Sequence, residues 1–291
     1  MTWDDLGFQH RRSFIENAIV MSDVNVAWLF RKKMFMTLQG CDARLAGRSN
    51  NINRETPCAE GRCSAFDICV SHLDNARQRM MAELLPRMNR VFCLNPELRR
   101  YVERAEFVPY ANVDIFAQSV ALPGSGSRPR IVHAPSDQGL KGTPDILAAL
   151  RSLQEVLDFE LIVVEKTPHD EAMKIYQSAD VAIDQIHFGW YGGFAVEMMA
   201  MGKPVAAYIR EEDGEFVPPE MWSDLPIIRL DPSSLKEDLA SMIAGAKDLP
   251  RLGQLSRRFA EKWHDPYKIA RMMMRIYENP NSELTMDGSR M

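Results

Sequence analysis

The sequence has no excess of positive charge, no long apolar run and few cysteines. Its 35 lysines and arginines are outnumbered by 40 aspartates and glutamates, whereas proteins that neutralise nucleic-acid phosphates need clustered positive charge. No apolar stretch approaches the roughly 18 residues of a membrane span. The N-terminus, Met1 to Asp5, is acidic and polar, unlike a secretory signal. We therefore expect a cytoplasmic protein that does not bind nucleic acid.

Four of the five cysteines stand close together in the first quarter of the chain, at positions Cys41, Cys58, Cys63 and Cys69. Their spacing lacks the tight Cys-x2-Cys pairs of many zinc sites. Three interpretations remain open: a structural zinc that rigidifies a polar loop (residues 39–67), disulfide or redox pairing, and unligated thiols. Cys93 lies in an apolar run and is expected to be a small buried side chain.

Most of the chain consists of strand-like apolar runs that alternate with segments of helical periodicity. With 46% hydrophobic residues, the chain can bury a core large enough for two α/β domains. The strand-like runs do not alternate with polar residues, which predicts parallel sheets covered on both faces. A Gly/Ser/Pro-rich run at 122–129 indicates a linker. We therefore predict domains at 1–120 and 121–277 and a disordered tail at 278–291.

The rest of the chain is organised around the stretch from Asp184 to Ile209, which predicts a strand end, a glycine loop, a helix, a turn and a strand. Gly192 and Gly193 let the backbone of the loop approach a ligand. The helix predicted from Phe194 to Met201 points its free N–H groups at this loop, an arrangement that binds anions.

Glu197 lies in this helix between two apolar residues and has no obvious packing role. Its carboxylate can accept two hydroxyl hydrogen bonds. Residues 197–205, Glu-Met-Met-Ala-Met-Gly-Lys-Pro-Val, resemble a motif of the retaining glycosyltransferases of the GT-B fold (glycosyl transferases group 1). The family pattern is Glu, seven residues, Glu, and a helix continuing Ala-Met-Ala-x-Gly-x-Pro-Val. Gly189 stands where the family has its first glutamate, which faces the transferred sugar.

A second segment, Gln39-Gly40-Cys41-Asp42-Ala43-Arg44, is similar to the His-Gly-x-Asp-x-Arg turn of the family's acceptor-side domain. Fewer residues precede it than in the family. The resemblance thus implies an α/β, GT-B-like fold with two Rossmann-like domains whose parallel sheets face across a cleft, the N-terminal one reduced. Gln39, Gly40 and Asp42 are the expected acceptor-side residues.

On the donor side, an apolar strand at 130–134 leads into a loop containing Ser136 and then into Lys141, at the mouth of a parallel sheet where a diphosphate would bind. The family usually adds an arginine before this lysine, which the sequence does not show. Two aromatic residues of the glycine loop, Trp190 and Tyr191, either stack on a base or sugar or pack inside the protein.

The resemblance implies transfer of a hexose from a nucleoside diphosphate sugar to an acceptor hydroxyl, with retention and without a cofactor or a metal at the chemical step. Lys141 would hold the diphosphate, Glu197 the ribose hydroxyls, and Ser136 with the amides of residues 192–194 (Gly192, Gly193, Phe194) the donor phosphates. The acceptor is a saccharide, a lipid-linked or a small molecule; peripheral membrane contact and a partner subunit stay open. The alternatives are a non-catalytic nucleotide-sugar-binding subunit and, more weakly, an epimerase.

Overall fold

The computed structural model describes residues 22–124, 126 and 128–285. The first half contains the helices α1 (Ser22–Leu29), α2 (Ala46–Ile52), α3 (Phe66–Ile68) and α4 (Asp74–Leu84) and the strands β1 (Phe35–Leu38), β2 (Arg90–Cys93) and β3 (Glu106–Phe107). The second half contains the strands β4 (Arg130–His133), β5 (Glu160–Val163), β6 (Val181–Ile183), β7 (Val205–Ala207) and β8 (Ile228–Arg229).

The helices of the second half are α5 (Gln138–Lys141), α6 (Thr143–Leu153), α7 (His169–Ser178), α8 (Gly193–Ala200), α9 (Pro219–Asp224), α10 (Leu235–Ala244), α11 (Leu249–Trp263) and α12 (Pro266–Glu278). A π-helix at Cys69–Leu73 joins α3 to α4, and short 3-10 helices span Leu85–Arg87, Pro96–Arg100, Glu211–Phe216, Pro232–Ser234 and Ala246–Asp248. None of the described helices combines the length and apolarity needed to cross a bilayer.

The strands of the second half form a parallel sheet in the order β5-β4-β6-β7-β8 within the described residues. The chain enters at β4, moves outward to β5 and then returns past β4 to β6. This reversal leaves a crevice outside the carboxyl ends of β4 and β6, the place where open α/β sheets bind ligands. The loops after these two strands carry Lys141 and the glycine-rich segment.

The first half forms a smaller parallel sheet, β1-β2-β3, in the described part of the chain. Its outer face is covered by α12, whose Met272 and Ile276 pack on Phe92 and Val108. Asp265 begins this helix by accepting hydrogen bonds from the first-turn amides, as an N-cap residue does. The final helix therefore crosses back to the first half.

One apolar cluster runs through both halves. It joins Leu38 and Phe107 of the smaller sheet to the β6, β7 and α8 side of the larger one, while a second cluster covers the opposite face of the larger sheet. Trp190 and Tyr191 of the glycine loop belong to the shared cluster. The two sheets are thus packed together by common side chains.

Three segments differ from the sequence expectations. The predicted polar loop at 39–67 contains α2, because the Asp74 carboxylate accepts hydrogen bonds from the N–H groups of Ala46 and Gly47. The loop before Lys141 becomes α5, because the Asp137 side chain caps it at the N–H of Leu140. Part of the predicted disordered tail is docked: the Arg90 guanidinium donates to backbone carbonyls of that segment, at Pro280 and Ser282. Residues 286–291 lie outside the described part.

Candidate functional site

An ion pair joins the two loops at the crevice of the larger sheet. Lys141, the last residue of α5, places its Nζ 2.7 Å from Oδ1 of Asp184, directly after β6. The other carboxylate oxygen, Oδ2, accepts a hydrogen bond of 2.6 Å from the N–H of Gly192. Asp184 is fully buried and the Lys141 side chain is 12% exposed. The carboxylate therefore fixes both the ammonium group and the glycine loop.

Gly142, directly after α5, has no space for a side chain, and Gly192 lies close to the ion pair. Gly142 has φ +79, and a Cβ there would lie 2.3 Å from Cγ1 of Ile186. At Gly192 a Cβ would lie 3.4 Å from both Lys141 Nζ and Asp184 Oδ2. A side chain at position 192 would thus contact the ammonium group at an ordinary van der Waals distance.

The N-terminus of α8 opens next to this ion pair. The amides of Gly193, Phe194 and Ala195 have no hydrogen-bond acceptor in the part of the chain that the structure describes. The Asn112 side chain faces the same turn, because a Cβ on Gly193 would lie 2.8 Å from its Nδ2. A helix N-terminus with free amides and partial positive charge favours an anion.

Glu197 lies one turn further along α8 and is half-buried. Burial raises its pKa, an effect that the nearby His169 opposes. Its charge also helps to raise the pKa of Tyr176, to about 12, although burial of the phenol is the larger cause. Among the described residues, Glu197 has no hydrogen-bond or ion-pair partner. A half-buried carboxylate without a partner is unusual in a folded protein and suits contact with a ligand.

Gly189, at the position of the first glutamate in the motif that the sequence resembles, lies against an arginine. Its φ is +77, and a Cβ there would lie 2.7 Å from Cζ of Arg210. Arg210 is buried and binds Asp213 at 2.8 Å and Glu97 at 3.3 Å. A glutamate at 189 would thus be strained and would collide with a guanidinium that is held in place, so the glycine fits its surroundings.

The expected acceptor-side residues form a turn at the carboxyl end of β1. The Asp42 carboxylate accepts hydrogen bonds from three N–H groups, those of Gln39, Gly40 and Ala43. These bonds occupy both oxygens, so Asp42 shapes the turn. Gln39 is exposed. No hydrogen bond links this turn to Lys141 within the described residues, and Ser136 is an exposed residue of the loop before α5.

The two loop aromatics pack inside the protein, so neither is available to stack on a ligand. Trp190 and Tyr191 are 1% and 0% exposed. Trp190 stacks on Tyr191 and Trp222. The Tyr191 hydroxyl donates to Nε2 of His264 at 2.9 Å, since the other ring nitrogen must donate to the Tyr110 carbonyl. Burial lowers the His264 pKa to about 4, which favours this neutral ring.

The cysteines are all free thiols in the described part of the chain. Cys58 and Cys69 are buried, and Cys41 and Cys63 are half-buried. No three histidine, cysteine, aspartate or glutamate side chains there are placed so that they could hold one metal ion. Cys93 is buried in β2, as predicted, and burial raises its pKa to about 12.

A buried network of charges between the two halves was not foreseen from the sequence. Arg44 donates to the Glu97 carboxylate at 2.7 Å, and Glu97 also faces Arg210. Arg210 and Arg100, one from each half, both bind Asp213. These residues are far apart in the sequence. No local pattern in the sequence pointed to this network.

Comparisons with known proteins find the same architecture. No family model and no curated protein sequence matches the chain. Among solved structures, sucrose-phosphate synthase from Thermosynechococcus elongatus is 14% identical with a TM-score of 0.59, over 88% of this chain and 71% of that one. HepE of Anabaena, in complex with UDP and glucose, is 11% identical with a TM-score of 0.58, over 90% and 76%.

A third similar structure is WaaG, a glycosyltransferase involved in lipopolysaccharide biosynthesis. It is 14% identical with a TM-score of 0.56, over 91% of this chain and 83% of that one. The chain has the GT-B fold. The predicted α/β fold with parallel sheets is thereby confirmed, and the domain bounds at 1–120 and 121–277 stay predictions. In this fold the Lys141 loop and α8 belong to the C-terminal domain, beside the junction with the N-terminal domain.

Proposed function

We propose that the protein transfers a hexose from a nucleoside diphosphate sugar to an acceptor hydroxyl. The observation that carries this proposal is the meeting of Lys141, the free amides at the start of α8 and the unpartnered Glu197 at the crevice of the larger sheet. A cation and a helix N-terminus suit a diphosphate, and a carboxylate one turn away suits vicinal hydroxyls. A nucleoside diphosphate presents both groups.

In this proposal Lys141 and the amides of Gly193 and Phe194 bind the diphosphate, and Glu197 accepts hydrogen bonds from the ribose hydroxyls. The positive groups stabilise the nucleoside diphosphate more strongly as it leaves, because its negative charge then grows. They supply the compensating charge from the protein itself, so we propose that no metal acts at the chemical step. Retention of the anomeric configuration belongs to the same proposal.

Asp184 orients Lys141 before the donor binds. Its carboxylate is buried and bound to both Lys141 and Gly192, so it cannot easily move. When the diphosphate arrives, Lys141 shares its three N–H donors between Asp184 and the phosphate. The amide of Gly192 already donates to Asp184, so the later amides of the turn are left for the ligand.

A second candidate function is nucleotide-sugar binding without transfer. It is favoured by the environment of Gly189, where Arg210 fills the space beside the backbone and excludes the family's first acid. A protein that had kept the donor site but lost the sugar-facing carboxylate would bind the donor and not turn it over.

The experiment is calorimetric titration of the protein with UDP, GDP and ADP, with UDP tested first because HepE holds it. Lys141→Ala and Glu197→Gln should each weaken the preferred nucleotide about tenfold or more, the effect of losing a hydrogen bond to a charged group. Lys174→Ala and Glu171→Gln, exposed positions on α7, are the matched controls and should bind like wild type.

Donor hydrolysis and transfer to candidate acceptors are followed in the same samples. Turnover that both site variants lose supports the transferase. Binding without turnover supports the non-catalytic alternative. If none of the nucleotides binds, or if the control variants weaken binding as much as the site variants, the donor site is not at Lys141 and Glu197.

A further inference from the structure

The four clustered cysteines line one cavity. Cys41, Cys58, Cys63 and Cys69 surround a space of about 50 Å³ between the turn after β1 and the start of α3. They come from separate points of the first half, yet the fold brings every one of them to this cavity. Cys93, in β2, is not among its lining residues.

Positive charge stands on the wall of the same cavity. Arg44 and Arg77 both line it, and their side chains are 2% and 10% exposed. Arg77 is paired with Asp74 and Arg44 with Glu97. The carboxylate of Asp137, which also faces the cavity, is engaged by the N–H of Leu140. Buried guanidinium groups are the groups that would compensate a cage of thiolates.

The segment that carries the cysteines has little apolar core. Its small cluster has only Ala46, Cys58 and Cys69 as fully buried apolar members in the part of the chain described. Two of these are cysteines, so the thiol groups themselves occupy the centre. A segment built in this way gains rigidity when a metal joins its sulfur atoms.

We propose that Cys41, Cys58, Cys63 and Cys69 bind a metal centre through their four thiolates, and that this centre is an iron–sulfur cluster. As each sulfur–iron bond forms, the thiol gives up its proton to solvent. An all-sulfur set without histidine suits zinc or an iron–sulfur cluster above other metals.

One observation favours a cluster over a single zinc ion. Zinc requires four sulfurs at about 2.3 Å from one centre. The sulfurs instead surround a cavity of about 50 Å³, when roughly 10–15 Å³ is enough for one water molecule. The space therefore suits several atoms bridged between the cysteines.

The metal centre would also fix the contact between the two halves. The Arg62 carbonyl, one residue before Cys63, lies so close to Gly139 of α5 that a Cβ there would come within 2.1 Å of its oxygen. The Glu55 carboxylate in the same segment binds Arg62 at 2.7 Å and faces His187 at 3.3 Å. A rigid cysteine segment would thus support the α5 loop that ends in Lys141.

The test is metal analysis of the full-length protein purified without oxygen. We expect iron and acid-labile sulfide in equal amounts, about 2 to 4 of each per chain, with visible absorption from sulfur-to-iron charge transfer. Cys58→Ala combined with Cys63→Ala should lower iron at least tenfold. Cys41→Ala, at a half-buried position, does the same with less disturbance of packing. Cys93→Ala is the matched control and should keep the wild-type iron content.

Far-UV circular dichroism of each variant separates loss of metal from loss of fold. Iron and sulfide that disappear from folded Cys41→Ala but remain in Cys93→Ala support the proposal. Stoichiometric zinc without iron, lost in the same variants, would retain the thiolate site but overturn the cluster. Wild-type protein that stays free of both metals after anaerobic reconstitution with iron and sulfide would overturn the proposal as a whole. None of these outcomes depends on nucleotide binding, so they are independent of the proposed transferase activity.

Discussion

The two halves of the molecule differ in how they obtain their stability. The C-terminal half has a long sheet with an apolar cluster on each face. The N-terminal half has a short sheet whose last strand is Glu106–Phe107, and a cysteine segment with a small cluster of its own. Residues that follow it in the chain complete its packing. The helix α12 covers the outer face of its sheet, and Arg210 pairs with its buried Glu97. We conclude that the N-terminal half depends on docking, whereas the C-terminal half carries its own core.

Glu97→Ala is predicted to weaken the contact between the two halves most, and so to cause the largest loss of stability. The variant leaves Arg44 and Arg210 buried without this shared carboxylate, and removing one partner of a buried ion pair costs about 3–5 kcal/mol. The free energy of unfolding in urea measures the loss. Glu103→Ala, an exposed position nearby, is the control. Equal stability of the two variants would show that the network does not hold the halves together.

A pH dependence is predicted at His264, which joins Tyr191 in the C-terminal half to the Tyr110 carbonyl. Its folded pKa of about 4 lies below the usual 6.5, so the unfolded state binds more protons between these values. The contribution of His264 to the free energy of unfolding is therefore fully present above pH 6.5. It is lost as the pH falls towards 4, by on the order of 3 kcal/mol.

His264→Gln should flatten this part of the stability curve, because glutamine does not take up a proton. The difference between wild type and variant, measured by urea unfolding at pH 8 and pH 5, should shrink at the lower pH. Curves that stay parallel from pH 8 to pH 4 would contradict the assignment of the slope to His264.

Two glycines with similar positive φ, one in each half, allow a direct comparison of the halves. Gly61 and Gly142 have φ of +75 and +79, but a Cβ on Gly61 meets nothing within 4 Å in the described structure, whereas one on Gly142 would overlap Ile186. Gly61→Ala should cost roughly 1–2 kcal/mol from backbone strain alone. Gly142→Ala should cost about 1–3 kcal/mol more because it overpacks the core. Urea unfolding measures the loss of stability in both variants. Equal losses would mean that the α5 loop accommodates the added methyl group as easily as the cysteine segment does.

The smallest effect is expected at Arg54→Ala. Arg54 forms an ion pair with Asp231 of the other half, with side chains 61% and 38% exposed. Exposed pairs contribute about 0–1 kcal/mol, so the stability should change little. The Asp231 pKa, which hydrogen bonds from Arg54 and Ser233 lower to about 2, should rise and can be followed by NMR. A loss as large as that of Glu97→Ala would contradict the distinction between buried and exposed contacts.

The sequence predicted the C-terminal half well because its signals are local. Continuous apolar runs between glycine and proline positions marked its strands, and parallel strand order then placed Lys141 and the start of α8 at one edge. It did not predict the partner of Lys141, since Asp184 lies 43 positions away. The assignment of the donor site itself stays a prediction that the proposed titrations test.

The N-terminal half was harder to predict because its structure rests on distant partners. α2 forms where a polar loop was expected, since Asp74 accepts from its first amides. For Trp190, the sequence did not distinguish stacking on a ligand from packing inside the protein. It packs against Phe107 and Trp222, and no local pattern predicts that these two residues lie beside it. The pairing of Arg210 with Glu97 spans 113 positions and had no local signal.

The position of α12 has a consequence for how the protein can be divided. The helix follows the C-terminal half in the chain, but its apolar face covers Phe92 and Val108, and Lys33 donates to the carbonyl of its last residue, Glu278. Cutting at the linker would therefore give one fragment with an uncovered sheet and another with an uncovered helix. Because the halves share these contacts, they should unfold in a single cooperative transition.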